Sequence, residues 1–295
     1  IIMDRIEAMR VYTRVFERRS FKLASLDLNI PASTVTEVIK AMEKRLGVVL
    51  LERTTRRVSP TIDGETFYHR CISIINDVEE AEHGFSTSTP QGLLRVDTHG
   101  TIARHFLLPQ IHTFTEKYPD IKLFISESDA LRDIVSEGID CVLRVGRLAD
   151  EHLVAKPLCQ LEEVTVASPS YLKKAGLPCC IDDLHTHKMI GFYASDQSAP
   201  MPLEFCEDNG TIRELSIPRS ISVNSAESLV ALALQGMGIV QVPRYHIEAH
   251  LKEGRLVTLL THVPPSPSPL TLLYPQNRKY SACVNVFIEW LKSII

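Results

Sequence analysis

Residues 20–57 read SFKLASLDLNIPASTVTEVIKAMEKRLGVVLLERTTRR, and this stretch decides the fold of the first part of the chain. Ser20 can accept a hydrogen bond from an unpaired amide of a first turn, which predicts a helix over Phe21–Leu28. Asn29-Ile30-Pro31 ends that helix, because proline disfavours the α conformation in the residue before it. The pattern therefore predicts a short helix and a tight turn.

A second helix is predicted over Ala32–Leu46. Apolar residues recur there at intervals of three and four, which places on one face Val35, Val38, Ile39, Met42 and Leu46. Gly47 ends this helix, since glycine tolerates the positive φ of a C-terminal cap. Leu50–Arg53 and Val58-Ser59 are typical of two short strands with a basic tip. Together these elements predict a winged helix-turn-helix, whose second helix enters the major groove of DNA.

The first 60 residues are basic, whereas the remainder is acidic. They contain twelve Arg and Lys against seven Asp and Glu, a net charge of +5, while the whole chain has −4 and the rest therefore −9. A basic head on an acidic body is typical of a phosphate-binding module joined to a domain that does not contact DNA. Charge alone would equally fit a helical face exposed to water, so the interpretation depends on the motif as well.

A set of spaced residues matches the pattern of a known family. The set comprises Ser20-Phe21, Ala24, Leu28, Ser33, Val35, Ile39, Glu43, Leu46-Gly47, Leu50-Leu51, Arg53, Thr54, Thr61 and Gly64. It resembles the DNA-binding head of LysR-type transcriptional regulators, and the resemblance continues through nearly the whole chain. Lys22, Ser25, Ala32 and Glu37 depart from the usual residues. The last two lie on the reading helix, so the motif leaves the operator sequence open.

Seven residues are predicted to contact double-stranded promoter DNA. Hydroxyl groups at the start of the reading helix would face base edges or phosphates, and basic side chains on this helix and the wing would bind phosphates. The seven are Ser33, Thr34, Thr36, Lys40, Arg53, Arg56 and Arg57.

Residues 61 to about 86 are predicted to form a long helix, with Thr61 as its N-cap. Apolar residues follow in alternating steps of four and three, namely Phe67, Cys71, Ile74, Val78, Ala81 and Phe85. This seam and the resemblance favour a dimerisation helix, since a two-fold DNA site needs two heads. The alternative is a linker helix that packs against its own domain.

Beyond a hinge at residues 87–92, predicted strands and helices alternate, which indicates an α/β unit with largely parallel sheets. The predicted helices lie at residues 99–117, 130–137, 169–175, 226–235 and from 281 onward, and a predicted hairpin turns at residues 208–210. The resemblance implies an effector-binding domain of two lobes, similar to periplasmic binding proteins. We therefore expect a multidomain α+β chain with a head at 1–60, a linker helix and hinge at 61–90 and an effector domain at 91–295. Lobe one would comprise 91–162 and 266–295, and lobe two 163–265.

Two strand-to-helix junctions are predicted to line the cleft between the lobes. They are Thr98-His99-Gly100-Thr101 in lobe one and Asn224-Ser225 in lobe two. Polar side chains beside free amides at a helix start suit a small anionic effector. Ser128, Arg147 and Phe192 would reach the same space from the ends of strands. Ordinary helix caps would explain the junctions equally well, and both interpretations remain open.

No sequence motif points to catalysis, a cofactor or a metal. His185 and His187 lack the cysteine or carboxylate spacing of a zinc site. Nothing around Cys179, Cys180 or Cys206 indicates a lowered thiol pKa, although a redox role stays open. Without a secretory leader or an apolar run of membrane length, we expect the chain to stay in the cytoplasm.

Two functions remain in view. The first is a ligand-responsive transcription regulator that binds DNA as a homodimer or homotetramer. The second is a small-molecule binding protein or enzyme with an incidental basic head, and for this function the sequence offers no reaction centre.

Overall fold

The computed structural model describes residues 4–53, 58–83, 89–128, 137–146, 153–194, 198–278 and 281–295. Its first helices are α1 (Arg5–Arg18), α2 (Phe21–Leu28) and α3 (Ala32–Leu46). Ser20 Oγ accepts a hydrogen bond from Leu23 N at 3.2 Å, and Gly47 ends α3 with a φ of 73°. The two helices of the predicted motif therefore have their predicted bounds.

The wing is an antiparallel pair of β1 (Leu51–Arg53) and β2 (Val58–Pro60), and its predicted tip at 54–57 lies outside the described residues. Glu43, on α3, fixes this hairpin. Its Oε1 accepts hydrogen bonds from Leu50 N at 2.9 Å and Leu51 N at 3.1 Å. The carboxylate thus attaches the wing to the reading helix.

The linker helix α4 (Ile62–His83) is tied to the head at its start. Thr61 Oγ1 accepts a hydrogen bond from Gly64 N at 2.9 Å, so Thr61 is the predicted N-cap. The hydroxyl of fully buried Tyr12 donates to Gly64 O at 2.7 Å. A Cβ at Gly64 would overlap Leu50 O, so this close approach requires glycine.

The predicted apolar seam of α4 divides into two parts. Cys71 is fully buried in the core of the head, so this position is not available to a second chain, and half-buried Phe67 packs against the same core. Ile74 is 37% exposed and Val78 is half-buried. The seam prediction is therefore wrong at Cys71, because this side chain is buried in the head of its own chain. Phe85 lies outside the described residues.

Lobe one contains a five-stranded sheet in the order β4-β3-β5-β14-β6. The strands are β3 (Gly92–Thr98), β4 (Ile121–Glu127), β5 (Cys141–Val145), β6 (Leu153–Leu161) and β14 (Ser268–Pro275). β3 runs parallel to β4 and β5, whereas β14 runs antiparallel to β5 and β6. The chain thus returns to lobe one near its end, as expected.

Lobe two contains a three-stranded sheet in the order β12-β7-β13 and a short parallel pair. The strands are β7 (Glu163–Ala167), β8 (Gly191–Phe192), β9 (Leu203–Cys206), β10 (Ile212–Leu215), β11 (Ser222–Val223), β12 (Val240–Pro243) and β13 (Val257–Leu259). β9 and β10 form the predicted hairpin. β7 is antiparallel to both neighbours, so the expectation of largely parallel sheets is wrong here.

The helix predicted from His99 to Lys117 is interrupted. It consists of α5 (Gly100–Ile102), a π-helical turn (Ala103–Leu107), a 3-10 turn (Leu108–Gln110) and α6 (Ile111–Lys117). Pro109 lies in the 3-10 turn, and a proline has no amide hydrogen to continue an α-helix. The helix predicted at 130–137 falls almost entirely outside the described residues.

The later helices are α7 (Pro169–Ala175), α8 (Ala226–Leu234), α9 (Arg244–Lys252) and α10 (Ala282–Ile294). Sequence reasoning found all of these except α9, and it also missed strand β6. β6 was missed because it contains Pro157, and proline is disfavoured in central strands. α9 was missed because it follows β12 without any loop residue to mark its start. α10 closes the core of lobe one, where Phe287 packs edge-on against Phe114 with ring centroids 5.4 Å apart.

Candidate functional site

The start of α3 is the candidate DNA interface. Val35 and Ile39 are fully buried against the head core. Ser33 and Lys40 are exposed, and Thr34 and Thr36 are half-buried. No side chain caps the first amides of α3, because Pro31 occupies the N-cap position. The helix therefore presents hydroxyls, an ammonium group and free amides on its solvent side.

The wing residues are described only in part. Arg53 ends β1, whereas Arg56 and Arg57 lie outside the described residues.

A cavity of about 170 Å³ opens between the two lobes. Lobe one contributes Gly100, Thr101, Arg104, Glu127 and Ser128, and lobe two contributes Ser225, Ala226 and Glu227. The two predicted strand-to-helix junctions therefore meet at one space.

Arg104 joins the walls of this cavity. Its Nη1 lies 2.8 Å from Glu127 Oε2 within lobe one, and its Nη2 lies 3.2 Å from Glu227 Oε1 in lobe two. Glu227 Oε2 in turn lies 3.4 Å from Nε2 of His246, a side chain that is 4% exposed. Three charged groups, Glu127, Arg104 and Glu227, thus form a chain across the cleft, and the imidazole of His246 extends it on the side of lobe two.

These contacts shift the pKa values around the cleft. Burial alone would raise the pKa of Glu227, but His246 and Arg104 outweigh that effect, so the pKa is lowered and the carboxylate stays ionised. Burial lowers the pKa of His246, which Glu227 only partly opposes, and it also lowers that of His105. Both imidazoles are therefore neutral at pH 7.

Tyr245, on α9, forms a second bridge between the lobes. Its hydroxyl donates to Thr101 Oγ1 at 2.9 Å, and its ring lies 4.8 Å from that of Phe106. Burial raises the pKa of Tyr245 to about 12, so the phenol keeps its proton as a donor. Thr101 Oγ1 accepts this bond and retains its own hydrogen for donation to another group.

A buried ion pair supports the floor of the cavity. Asp97, fully buried at the end of β3, pairs with Arg144, which is 3% exposed. Ser128 Oγ donates to the same carboxylate at 2.7 Å, and so does Ser126 Oγ. These hydrogen bonds fix the orientation of the Ser128 hydroxyl at the wall of the cavity.

The predicted effector residues fall into three groups. Gly100, Thr101, Ser128 and Ser225 line the cavity. Thr98 is fully buried behind it, and Phe192 packs into the core of lobe two. Asn224 is exposed, His99 is half-buried, and Arg147 lies outside the described residues.

Sequence reasoning missed Arg104, Glu127, Glu227 and Tyr245. Arg104 and Glu227 are 123 positions apart, and no local pattern could connect them. A signal for α9 did exist, because Pro243 precedes Ile247 and Leu251, which are spaced by four.

The histidines and cysteines that were considered for a metal site or a redox role have ordinary surroundings. His187 is buried, with Nδ1 3.2 Å from the hydroxyl of Tyr171. Within the described part of the chain, no group of three or more His, Cys, Asp or Glu is arranged to hold a metal ion. Cys179 and Cys180 are exposed and Cys206 is half-buried, all as free thiols. No described helix has the length and apolarity to span a membrane.

Two family profiles match this architecture. The profile of the bacterial regulatory helix-turn-helix protein, lysR family, matches residues 6–65, and that of the LysR substrate binding domain matches residues 87–294. The chain belongs to the LysR family. This LysR-type chain is therefore a transcriptional regulator with a DNA-binding head and an effector-binding domain, and it is not an enzyme.

Individual relatives agree with this assignment. The HTH-type transcriptional regulator YhjC of Escherichia coli strain K12 is 36% identical over 295 residues, which cover 99% of this chain and 98% of the relative. The regulator CrgA of Neisseria meningitidis serogroup C is 30% identical, with 97% and 95% covered. The solved structure of CrgA matches with a TM-score of 0.61 and covers 97% of each chain. The regulator is thus similar to the CrgA subgroup.

Proposed function

We propose that this LysR-type regulator binds promoter DNA through the solvent face of α3 and the wing. The assigned contacts are Ser33, Thr34, Thr36, Lys40, Arg53, Arg56 and Arg57. The observation that supports them is the burial of Val35 and Ile39, which turns Ser33 and Lys40 toward solvent. Transcription takes place in the bacterial cytoplasm, where we infer that the protein acts.

We further infer that heads act in pairs, within a homodimer or homotetramer. The exposed Ile74 and half-buried Val78 on α4 support a pairing surface on the part of the helix that its own head leaves uncovered. We assign 1–60 to the head, 61–90 to the linker helix and hinge, and 91–295 to the effector domain. Lobe one takes 91–162 and 266–295, and lobe two takes 163–265.

The cleft is proposed as the effector site. The observation that carries this proposal is the cavity itself, because helix starts from both lobes line it. Ser225 makes no capping bond to α8, so its hydroxyl is free of the helix that it precedes. With Thr101 and the guanidinium of Arg104, it would bind a small effector that carries an anionic group. Ser128 would line the site without donating to the anion, because its hydrogen is committed to Asp97. Thr98, His99, Arg147, Phe192 and Asn224 would surround these contacts.

Thermal unfolding of the full chain against a panel of small carboxylic acids tests this site. A ligand at a hundred times its Kd stabilises the folded state by about 2.7 kcal/mol. A hit should lose this stabilisation in Ser225→Ala and Thr101→Val. Ser216→Ala, an exposed serine of the same lobe, is the control and should respond like the wild type. Equal responses in all variants would place the effector outside this cleft.

A further inference from the structure

Arg278 lies where the linker helix meets the effector domain, and its side chain is only 3% exposed. Nη1 donates to Asp77 Oδ1 at 2.7 Å, and Nη2 donates to Ser73 Oγ at 3.0 Å, both on α4. Nη2 also lies 3.0 Å from Oδ1 of Asp140, a 4% exposed carboxylate of the effector domain. One buried guanidinium thus joins two carboxylates from different parts of the chain.

The same junction is closely packed on either side of Arg278. Asn76 Nδ2 donates to Leu93 O at 3.3 Å. Gly138 has a φ of +64°, and a Cβ there would lie 2.7 Å from His69 O on α4. Backbone of the effector domain therefore runs directly against the linker helix, and the guanidinium lies within an extended contact.

Asp140 connects the contact with Arg278 to the strand that leads to the cleft. Its Oδ2 accepts a hydrogen bond from Arg95 N at 2.7 Å, and its own amide donates to Arg95 O at 2.9 Å. Arg95 lies within β3, the strand that ends at Asp97 and Thr98 beside the effector cavity. A displacement of β3 would therefore move the carboxylate that Arg278 holds.

We propose that Arg278 is a positioning residue that couples the effector domain to the DNA-binding head. It fixes the orientation of α4 relative to β3, since it binds Asp77 and Asp140 at once. Charge-assisted hydrogen bonds are stronger than neutral ones and are strengthened further by burial, so this contact can transmit a shift of either partner. The proposal goes beyond DNA and effector binding, because both sites could exist without this connection.

Hydrogen exchange on the full chain tests the coupling with Asp77→Asn. This variant keeps the shape of the side chain and removes its charge, and Asp77 is 36% exposed, so the protein should still fold. Glu79→Gln is the matched control, because Glu79 lies on the same helix with 37% exposure but pairs with Arg10 of the head at 2.8 Å.

In the free protein, Asp77→Asn should speed exchange about tenfold at residues 73–77 and at the Arg95 amide. Exchange in α10 should remain as in the wild type. If Asp77 only stabilised the fold, its substitution would raise the exchange rate in α10 as well. Glu79→Gln should leave Arg95 unchanged. Exchange at Arg95 that stays the same in Asp77→Asn and Arg278→Met overturns the proposal.

A duplex of random sequence at low salt supplies the second measurement. In the wild type, duplex binding to the head should alter exchange at Arg95. In Asp77→Asn that response should disappear while duplex affinity stays the same. A response that persists in Asp77→Asn, or one that is absent from the wild type, contradicts coupling through Arg278. If the wild type does not bind the duplex at all, the proposed DNA interface is contradicted instead. The exchange rates measured without DNA would still decide the role of Arg278.

Discussion

Arg104 and Glu227 connect the two lobes of the effector domain across its cavity, with Nη2 and Oε1 3.2 Å apart. The arginine is 45% exposed and the glutamate 50%, so the pair contributes only about 0–1 kcal/mol to global stability. Its importance lies in its position, because an anionic effector would compete with Glu227 for the same guanidinium. Effector binding and the contact between the lobes would then both depend on the guanidinium of Arg104.

Glu227→Gln is expected to loosen the contact between the lobes. The amide keeps the shape of the side chain but no longer pairs ionically with Arg104, so exchange at residues 100–104 and in the first turn of α8 should accelerate. Glu127→Gln is the control, since Glu127 binds the same guanidinium from within lobe one. Equal acceleration in both variants would show that the bridge between lobes has no special role.

Lys40→Ala should weaken DNA binding uniformly across sequences. Each lost phosphate contact should reduce the slope of log affinity against log salt by about one. Fluorescence anisotropy titrations of a duplex at several salt concentrations measure this slope. Lys44→Ala, in the last turn of α3, is the control and should keep the wild-type slope. Identical slopes for all three proteins would remove Lys40 from the interface.

Ile74→Asp should convert the assembly to monomers, as sedimentation velocity would detect. Burying a carboxylate without a partner in an apolar interface is costly. Because Ile74 is 37% exposed in the single chain, the monomer itself should stay folded. Glu82→Gln, at an exposed position outside the seam, should keep the native mass. A folded Ile74→Asp protein of native mass would mean that the pairing surface lies elsewhere.

Gly64→Ala should destabilise the head far more than Gly47→Ala. At Gly47 a Cβ meets nothing within 4 Å, and only its φ of +73° opposes alanine, at a cost of about 1 kcal/mol. At Gly64 the new methyl overlaps Leu50 O, so α4 must separate from the wing. Urea unfolding followed by circular dichroism compares the two variants, and similar midpoints would contradict the close approach.

Glu163 should make stability depend on pH. Burial raises its pKa from 4.5 to about 7, although a hydrogen bond from Ser268 opposes the shift. The folded state therefore holds this proton more tightly than the unfolded state, and the free energy of unfolding falls as pH rises from about 4.5 to 8. Relative to Glu163→Gln, the wild type should lose roughly 2–3 kcal/mol across that window. His105 and His246 titrate in both proteins and cancel in the difference, and parallel curves would contradict the shift.

Local chemistry in the sequence determined most of the head. Ser20, Pro31 and Gly47 act on the residues beside them, and the apolar spacing of α3 orients the whole helix. For this reason the bounds of α2 and α3 could be predicted, together with the exposed Ser33 and Lys40. The two strand-to-helix junctions were visible for the same reason, because a polar residue before a helix is a local signal.

Tertiary structure alone decided which of these residues share a site. Arg104 meets Glu227, 123 positions later in the sequence, only because the two lobes face each other. Arg278 likewise meets Asp77 across 201 positions. The seam of α4 shows the same limit, since its heptad spacing could not reveal that Cys71 is buried against α1. Periodicity reports which face of an element is apolar, whereas the partner that covers this face is set by contacts distant in the sequence.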